Sequence, residues 1–138
     1  MDADDILHIA RISYGTPVGV RDWGLLQSAV ARPQSSVFGE DAYPTPFEKA
    51  AALLHSLASN YSLVDGNKRT GWASAIDFLD LNGHPLAEPL DEDAAEELVL
   101  AAAQAELSNP AIASRLRRFA LDEGDASAPA GVPAGPTD

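Results

Sequence analysis

The sequence predicts an all-α domain of about six helices with one small flap loop or hairpin. Apolar residues recur at three- and four-residue spacing through most of the chain, the period of a helix that is buried on one face. Capping residues precede these segments, and glycine or proline follows several of them. The chain has 138 residues, enough for one domain with its own core. We therefore expect residues 1–120 to form this domain and residues 121–138, rich in Asp, Gly, Ala and Pro, to form a disordered acidic tail.

Each predicted helix has supporting signals at its ends. The predicted helices are residues 4–13, 22–30, 46 to about 60, 67–81, a segment that opens at 91–93, and 109 to about 120. Asp22 can cap the second helix, and Thr45 with Glu48 three residues later forms a capping box for the third. Asn82-Gly83 supplies a C-terminal stop for the fourth helix.

The flap is predicted within residues 34–46, where the helical period is lost. Val37-Phe38 is a short β-prone pair, and Gly39 permits a tight turn directly after it. Tyr43 then begins a segment with two prolines that cannot continue a strand. We interpret this stretch as an exposed loop or small hairpin.

Charge and composition limit the possible functions. The net charge of −12 argues against direct nucleic-acid binding, because such proteins usually carry a broad basic surface. The absence of cysteine excludes disulfides, thiolate catalysis and cysteine metal sites. The acidic N-terminus lacks the basic start of a signal peptide, and no apolar run reaches membrane-spanning length. We expect a soluble, cytoplasmic protein that does not bind a membrane.

The motif Asp65-Gly66-Asn67-Lys68-Arg69 lies where one apolar helix ends and another begins. A glycine allows a tight turn, and the first N–H groups of the new helix can bind an anion. Two cations in a first helical turn are unfavourable for the helix dipole, so their presence suggests a negatively charged ligand. A carboxylate beside them is a natural Mg²⁺ ligand. An ordinary turn followed by a solvated basic face is the alternative, and the residues alone do not decide between them.

Residues 61–70 closely resemble the signature loop of the Fic/Doc family, His-x-Phe-x-(Asp/Glu)-Gly-Asn-(Gly/Lys)-Arg. The sequence is most similar to the Doc branch, in which Lys follows Asn and Arg-Thr comes next, here Lys68, Arg69 and Thr70. The likeness covers roughly residues 4–119. It therefore implies the Fic/Doc helical fold for nearly the whole predicted domain.

The resemblance also implies a role for each matched residue. Asp65 would bind Mg²⁺, Gly66, Asn67 and Lys68 would form the anion hole, and Arg69 would contact the phosphates of ATP or another nucleoside triphosphate. Val37, Phe38, Gly39 and Tyr43 would belong to the flap that aligns the target segment by strand-like pairing.

Family members transfer phosphate or a nucleotide to a protein hydroxyl. Lys68, where AMP-transferring members have glycine, favours a Doc-like kinase that phosphorylates a translation elongation factor and arrests growth. The resemblance implies a toxin of a toxin–antitoxin pair. Its partner would be a cognate antitoxin whose disordered segment folds onto the toxin.

The sequence departs from the pattern at Tyr61, which stands where the family has its general-base histidine. A phenol is a poor base at neutral pH, because the ordinary pKa of tyrosine is about 10 and that of histidine is about 6.5. We therefore expect impaired catalysis. Either the chain is a natural degenerate member, or it carries a substitution selected because it removes toxicity. We favour selection, because the rest of the motif is intact.

Two other readings of the sequence remain open. One is a non-catalytic Fic-fold protein that binds a nucleotide or a partner, and the other is an unrelated helical scaffold whose loop resembles the motif. Outside the motif we interpret His55 as a structural or surface residue and Trp23 and Trp72 as core or helix-packing residues. Arg115, Arg117 and Arg118 are interpreted first as helix-end cations, with an acidic antitoxin segment as their alternative partner.

Overall fold

The structure, a computed structural model, describes residues 1–121 and confirms the predicted all-α fold with a small hairpin. Its elements are α1 (Ala3–Tyr14), α2 (Trp23–Ala31), a 3₁₀ turn (Arg32–Gln34), β1 (Ser36–Val37), β2 (Glu40–Asp41), α3 (Pro46–Ser59), α4 (Asn67–Leu81), α5 (Glu92–Ala103) and α6 (Asn109–Arg117). The predicted acidic tail lies outside the described residues except for its first residue, Leu121.

The capping signals predict the helix starts well. Thr45 caps α3, since its hydroxyl accepts the Glu48 N–H at 3.2 Å and the Glu48 carboxylate accepts the Thr45 N–H at 3.2 Å. The last helix differs from its predicted range of 109 to about 120. Its N-cap is Ser108, and the helix ends at Arg117.

Helix α3 lies at the centre of the fold and packs most extensively against α4 and α6, with smaller contacts to α5 and α2. Its buried side chains join those of α4, α5 and α6 in the larger of two apolar clusters, and those of α1 and α2 in the smaller. The axes of α3 and α4 come close at Gly71. A Cβ atom there would lie 3.3 Å from the Ala58 nitrogen and 3.4 Å from the Leu54 carbonyl oxygen. The absence of a side chain at Gly71 therefore lets α4 pack directly against the backbone of α3.

The two tryptophans differ in burial. Trp72 packs against the larger cluster, with its ring edge-on to Phe119 at a centroid distance of 5.3 Å, as predicted. The prediction for Trp23 is wrong, because 54% of this residue is exposed. Trp23 shares α2 with the buried Leu26 and Ala29, but it stands at the first helical position. Helical phase predicts which face of a helix is apolar, but not how far the core extends along that helix.

The flap is a two-stranded antiparallel hairpin in which Ser36 pairs with Asp41 and Val37 with Glu40. The two turn residues, Phe38 and Gly39, have φ of 53° and 82°. Positive φ at both central positions is typical of the tight turns that suit the twist of a hairpin. The Phe38 side chain is fully exposed at the tip. None of the helices within residues 1–121 is long and apolar enough to cross a membrane.

Candidate phosphate-binding site at the start of helix α4

The motif loop joins α3 to α4 and turns at Gly66, whose φ is 76°. This left-handed conformation favours glycine. The first N–H groups of α4 have no partners within the helix and point out of its N-terminus. No side chain within residues 1–121 caps this end of α4. The positive end of the helix is therefore left free for an anion.

Asn67 holds the loop with its side chain. Its Oδ1 accepts the Leu63 N–H at 3.0 Å, and its Nδ2 donates to the Leu63 carbonyl oxygen at 3.1 Å. Leu63 itself is buried, so both of its backbone groups find partners away from water. The Asn67 side chain is thus occupied, and what this residue offers an anion is its backbone N–H.

Residues 18–22 form a second support that the sequence did not reveal. The Val64 N–H donates to the Gly19 carbonyl oxygen at 2.9 Å, and the Arg21 N–H donates to the Ser62 carbonyl oxygen at 2.8 Å. The guanidinium of Arg21 also donates to the carbonyl oxygen of Tyr61. The sequence shows only a turn-rich loop here, because these partners lie about forty residues further along the chain.

Tyr61 occupies an unusual backbone conformation at the mouth of the site. Its φ is 55°, and 60% of the residue is exposed. It borders an open cavity of about 320 Å³ lined by Tyr14, Tyr61, Val64, Asp65, Gly66, Asn67, Lys68 and Arg69. The structure therefore brings together all the residues that the sequence predicted for the motif site, and adds Tyr14. The flap residues do not line this cavity.

Tyr14, the last residue of α1, contacts the motif on two sides. Its hydroxyl donates to Asp65 Oδ2 at 2.6 Å, and its ring lies 5.3 Å below the Arg69 guanidinium. The Tyr14 hydroxyl and then the Gly66 N–H lower the pKa of Asp65, because both hydrogen bonds favour the charged carboxylate. The same hydrogen bond raises the pKa of Tyr14. No signal in the sequence near residue 14 points to this role.

Comparison with known proteins decides the family. A model of the family described as Fic/DOC matches residues 1–79, which include α1 to α3, the flap and the whole motif. The chain belongs to the Fic/DOC family.

Two curated relatives place the chain near the Doc members. It is 51% identical to "Toxin Doc" of Mycolicibacterium smegmatis over 120 residues, which cover 87% of this chain and 92% of that protein. It is 35% identical to "Protein kinase doc" of Escherichia phage P1 over 114 residues, which cover 82% of this chain and 87% of that protein. Both similarities extend well beyond the motif and span most of the domain.

The Fic/DOC motif offers a metal ion one carboxylate. Residues 1–121 contain no group of three or more His, Asp or Glu side chains that could hold a metal by themselves. Mg²⁺ commonly binds through one or two carboxylates, with phosphate oxygens and water completing its shell. Asp65 is exposed, charged and next to the free helix end, so the residues present fit an ion that arrives with a nucleotide.

The Fic/DOC flap is tied to α3 by Arg32. Its Nε donates to the Tyr43 hydroxyl at 2.9 Å, and its guanidinium also lies over the Tyr43 ring at 5.3 Å. Arg32 Nη1 lies 2.9 Å from His55 Nδ1 and 3.0 Å from Ser56 Oγ. Because an arginine can only donate, His55 must accept through a neutral Nδ1. His55 therefore has the structural role that the sequence predicts, and it positions the base of the flap.

This contact predicts that the protein loses stability in mild acid. Burial, and then the charge of Arg32, lower the pKa of His55 below 6.5. The unfolded chain therefore binds the proton more readily than the folded one. The contribution of neutral His55 to the free energy of unfolding is therefore complete above pH about 6.5, and it is lost as the pH falls through the lowered pKa. We expect the melting temperature of the native chain to fall more steeply between about pH 7 and pH 5 than that of His55→Asn, because asparagine keeps an acceptor but does not titrate. Parallel pH profiles from calorimetry would contradict the role of His55.

Proposed function

We propose that this chain is a Doc-like toxin whose site transfers phosphate from ATP to a hydroxyl group of another protein. The observation that carries the proposal is one cavity, at the free N-terminus of α4, bordered by Asp65, Lys68 and Arg69. A carboxylate, two cations and bare N–H groups together match the needs of a phosphoryl group, whose transfer depends on positioning and charge stabilisation. The similarity to a protein named "Protein kinase doc" supports phosphate as the transferred group.

Each residue has a proposed part in binding ATP. The backbone N–H groups at the start of α4 and the Lys68 ammonium bind phosphate oxygens, and the Arg69 guanidinium binds a second phosphate in a two-pronged contact. Asp65 would hold Mg²⁺, which when bound supplies positive charge to the phosphates. Gly66 keeps the backbone close enough for these contacts, and Asn67 fixes the loop that carries them.

The step that this chain performs poorly is removal of the proton from the target hydroxyl. Tyr61 stands at the position of the general base, and a phenol at neutral pH holds its own proton. A positioned base contributes roughly 10²–10⁴-fold to such a reaction. We therefore propose that this chain binds its nucleotide and transfers phosphate slowly.

The flap and the family suggest the partners. The hairpin edge, with the exposed Val37 and Phe38, can pair with an extended segment of the target and aim its hydroxyl at the cavity. The proposed target is a translation-related protein such as an elongation factor, and its modification would arrest growth. A cognate antitoxin with a disordered segment is the proposed inhibitor, and the proposed compartment is the cytoplasm.

Mass spectrometry of modified proteins tests the reaction directly. A cell extract incubated with the Tyr61→His protein, ATP and Mg²⁺ should contain a protein that gains one phosphate. The same extract with Tyr61→His, Lys68→Ala should lack that modification. An added AMP instead of a phosphate would show that the chain is a nucleotidyltransferase, and no added group would contradict the proposed transfer.

A non-catalytic nucleotide-binding protein is the second candidate. Tyr61 favours this candidate, because the loop keeps its hydrogen bonds to Arg21 although the general base is absent. Under this alternative, the Tyr61→His protein would bind ATP as tightly as the native chain and still modify no protein. The mass-spectrometry experiment, combined with an ATP-binding measurement, therefore separates the two functions.

A further inference from the structure

We infer that Tyr14 is a positioning residue that holds Asp65 and Arg69 in place for a Mg²⁺-bound nucleoside triphosphate. The inference rests on the proposed function, because it assigns Tyr14 to the same cavity. It concerns a residue of α1 that lies 51 positions before Asp65 in the sequence.

The hydroxyl of Tyr14 fixes the carboxylate. It donates to Asp65 Oδ2 at 2.6 Å, while Asp65 Oδ1 accepts the Gly66 N–H at 2.8 Å. With one donor on each oxygen, the plane of the carboxylate is set before any ion binds, and each oxygen keeps a lone pair for a ligand. Donors of this kind behind a metal-binding carboxylate typically affect metal affinity by tenfold or more.

The ring of Tyr14 fixes the arginine. The Arg69 guanidinium carbon lies 5.3 Å from the ring centroid, within the range of a cation–π contact. Within residues 1–121 the Arg69 guanidinium forms no ion pair. The ring orients the guanidinium without neutralising it, so the positive charge and the N–H donors of Arg69 remain available to a phosphate.

The contact between ring and loop is close. A Cβ atom on Gly66 would lie 3.1 Å from two carbons of the Tyr14 ring. Gly66 therefore serves the turn and also leaves room for the ring to lie against the loop between the carboxylate and the guanidinium. The hydroxyl acts on the metal ligand and the ring acts on the phosphate ligand, so substitution can separate the two effects.

Calorimetric titration of the full chain with ATP, in Mg²⁺ or in EDTA, tests this division. Tyr14→Phe removes only the hydroxyl, so we expect about tenfold weaker binding of ATP in Mg²⁺ and unchanged binding in EDTA. Tyr14→Leu also removes the ring, so we expect weaker binding under both conditions. Ile12→Ala is the matched control, because Ile12 is an exposed residue on the same helix, and its affinity should equal that of the native chain. Circular dichroism verifies that each variant is folded.

The outcomes distinguish this inference from the proposed function. Native affinity of Tyr14→Phe in both buffers would overturn the role of the hydroxyl, whereas the proposed site would stand. Failure of the native chain to bind ATP in either buffer would overturn the proposed function, and the inference with it. A third measurement needs no nucleotide. The NMR signal of the Arg69 Nε–H should keep its ring-current shift in Tyr14→Phe and lose it in Tyr14→Leu, and an unchanged signal in Tyr14→Leu would overturn the role of the ring.

Discussion

Replacing Tyr61 with histidine is expected to raise the rate of phosphate transfer by about 10²–10⁴-fold, the usual contribution of a positioned general base. Histidine has an ordinary pKa of about 6.5, so a large neutral fraction is ready to accept a proton at pH 7. The backbone at residue 61 also suits the substitution. Its φ of 55° lies in the left-handed region, where histidine is more frequent than most residues.

Two measurements check this result. Transfer of labelled phosphate from ATP to protein gives the rate ratio between the Tyr61→His and native chains, and induced expression shows whether bacterial growth stops. Tyr61→Phe is the matched control, because it removes the hydroxyl and supplies no base, so its rate should not exceed that of the native chain. Equal rates for Tyr61→His and Tyr61→Phe would mean that residue 61 does not act as the base.

Adding side-chain volume at Gly71 is expected to cause a large loss of stability. A Cβ atom there meets the Ala58 nitrogen at 3.3 Å and the Leu54 carbonyl oxygen at 3.4 Å, and both are backbone atoms of α3. Backbone within a helix cannot rotate away as a side chain can, so α3 and α4 must move apart. Overpacking of this kind costs about 1–3 kcal/mol, against which alanine regains up to about 1 kcal/mol of helix propensity.

We therefore expect Gly71→Ala to lower the free energy of unfolding by about 1–2 kcal/mol and Gly71→Leu to prevent folding. Urea denaturation measures the first change, and circular dichroism detects the second. Gly24→Ala is the control, because Gly24 is an exposed position of α2 and the added methyl group meets only a side chain, that of Asp22, at 3.2 Å. Native stability in Gly71→Leu would mean that the two helices do not pack as closely as Gly71 implies.

The packing of α3 against α4 also fixes the position of the motif loop that joins them. Gly71 lies four residues after Asn67, so the close approach of α3 and α4 fixes the start of α4 relative to the end of α3. The loop between the two helices therefore has little conformational freedom, and the Asn67 side chain fixes it further with two hydrogen bonds to the Leu63 backbone. Loss of packing at Gly71 should therefore weaken the phosphate site even in a variant that still folds.

Local signals in the sequence were sufficient for the helices. The start of α3 follows from Thr45 and Glu48, because capping involves groups within three or four residues of one another. The start of α4 follows from the left-handed turn at Gly66. The last helix begins at the predicted residue 109, but it ends at Arg117 and not near residue 120. Its cap is the Ser108 hydroxyl, whereas the side chain of Asn109 donates to the Glu48 carbonyl oxygen on α3. The contact with α3 thus determines the role of the Asn109 side chain, which joins two helices instead of capping its own.

The sequence by itself determined the helical fold, the flap and the motif from Tyr61 to Arg69. These features depend on spacing and on residues that are neighbours in the chain. Only the tertiary structure decided what supports the motif. Tyr14 meets Asp65 across 51 positions, and Arg21 meets Tyr61 across 40. Such contacts exist only after α1, α3 and α4 have packed, and no local pattern encodes them, because the pairing depends on where each helix ends in space.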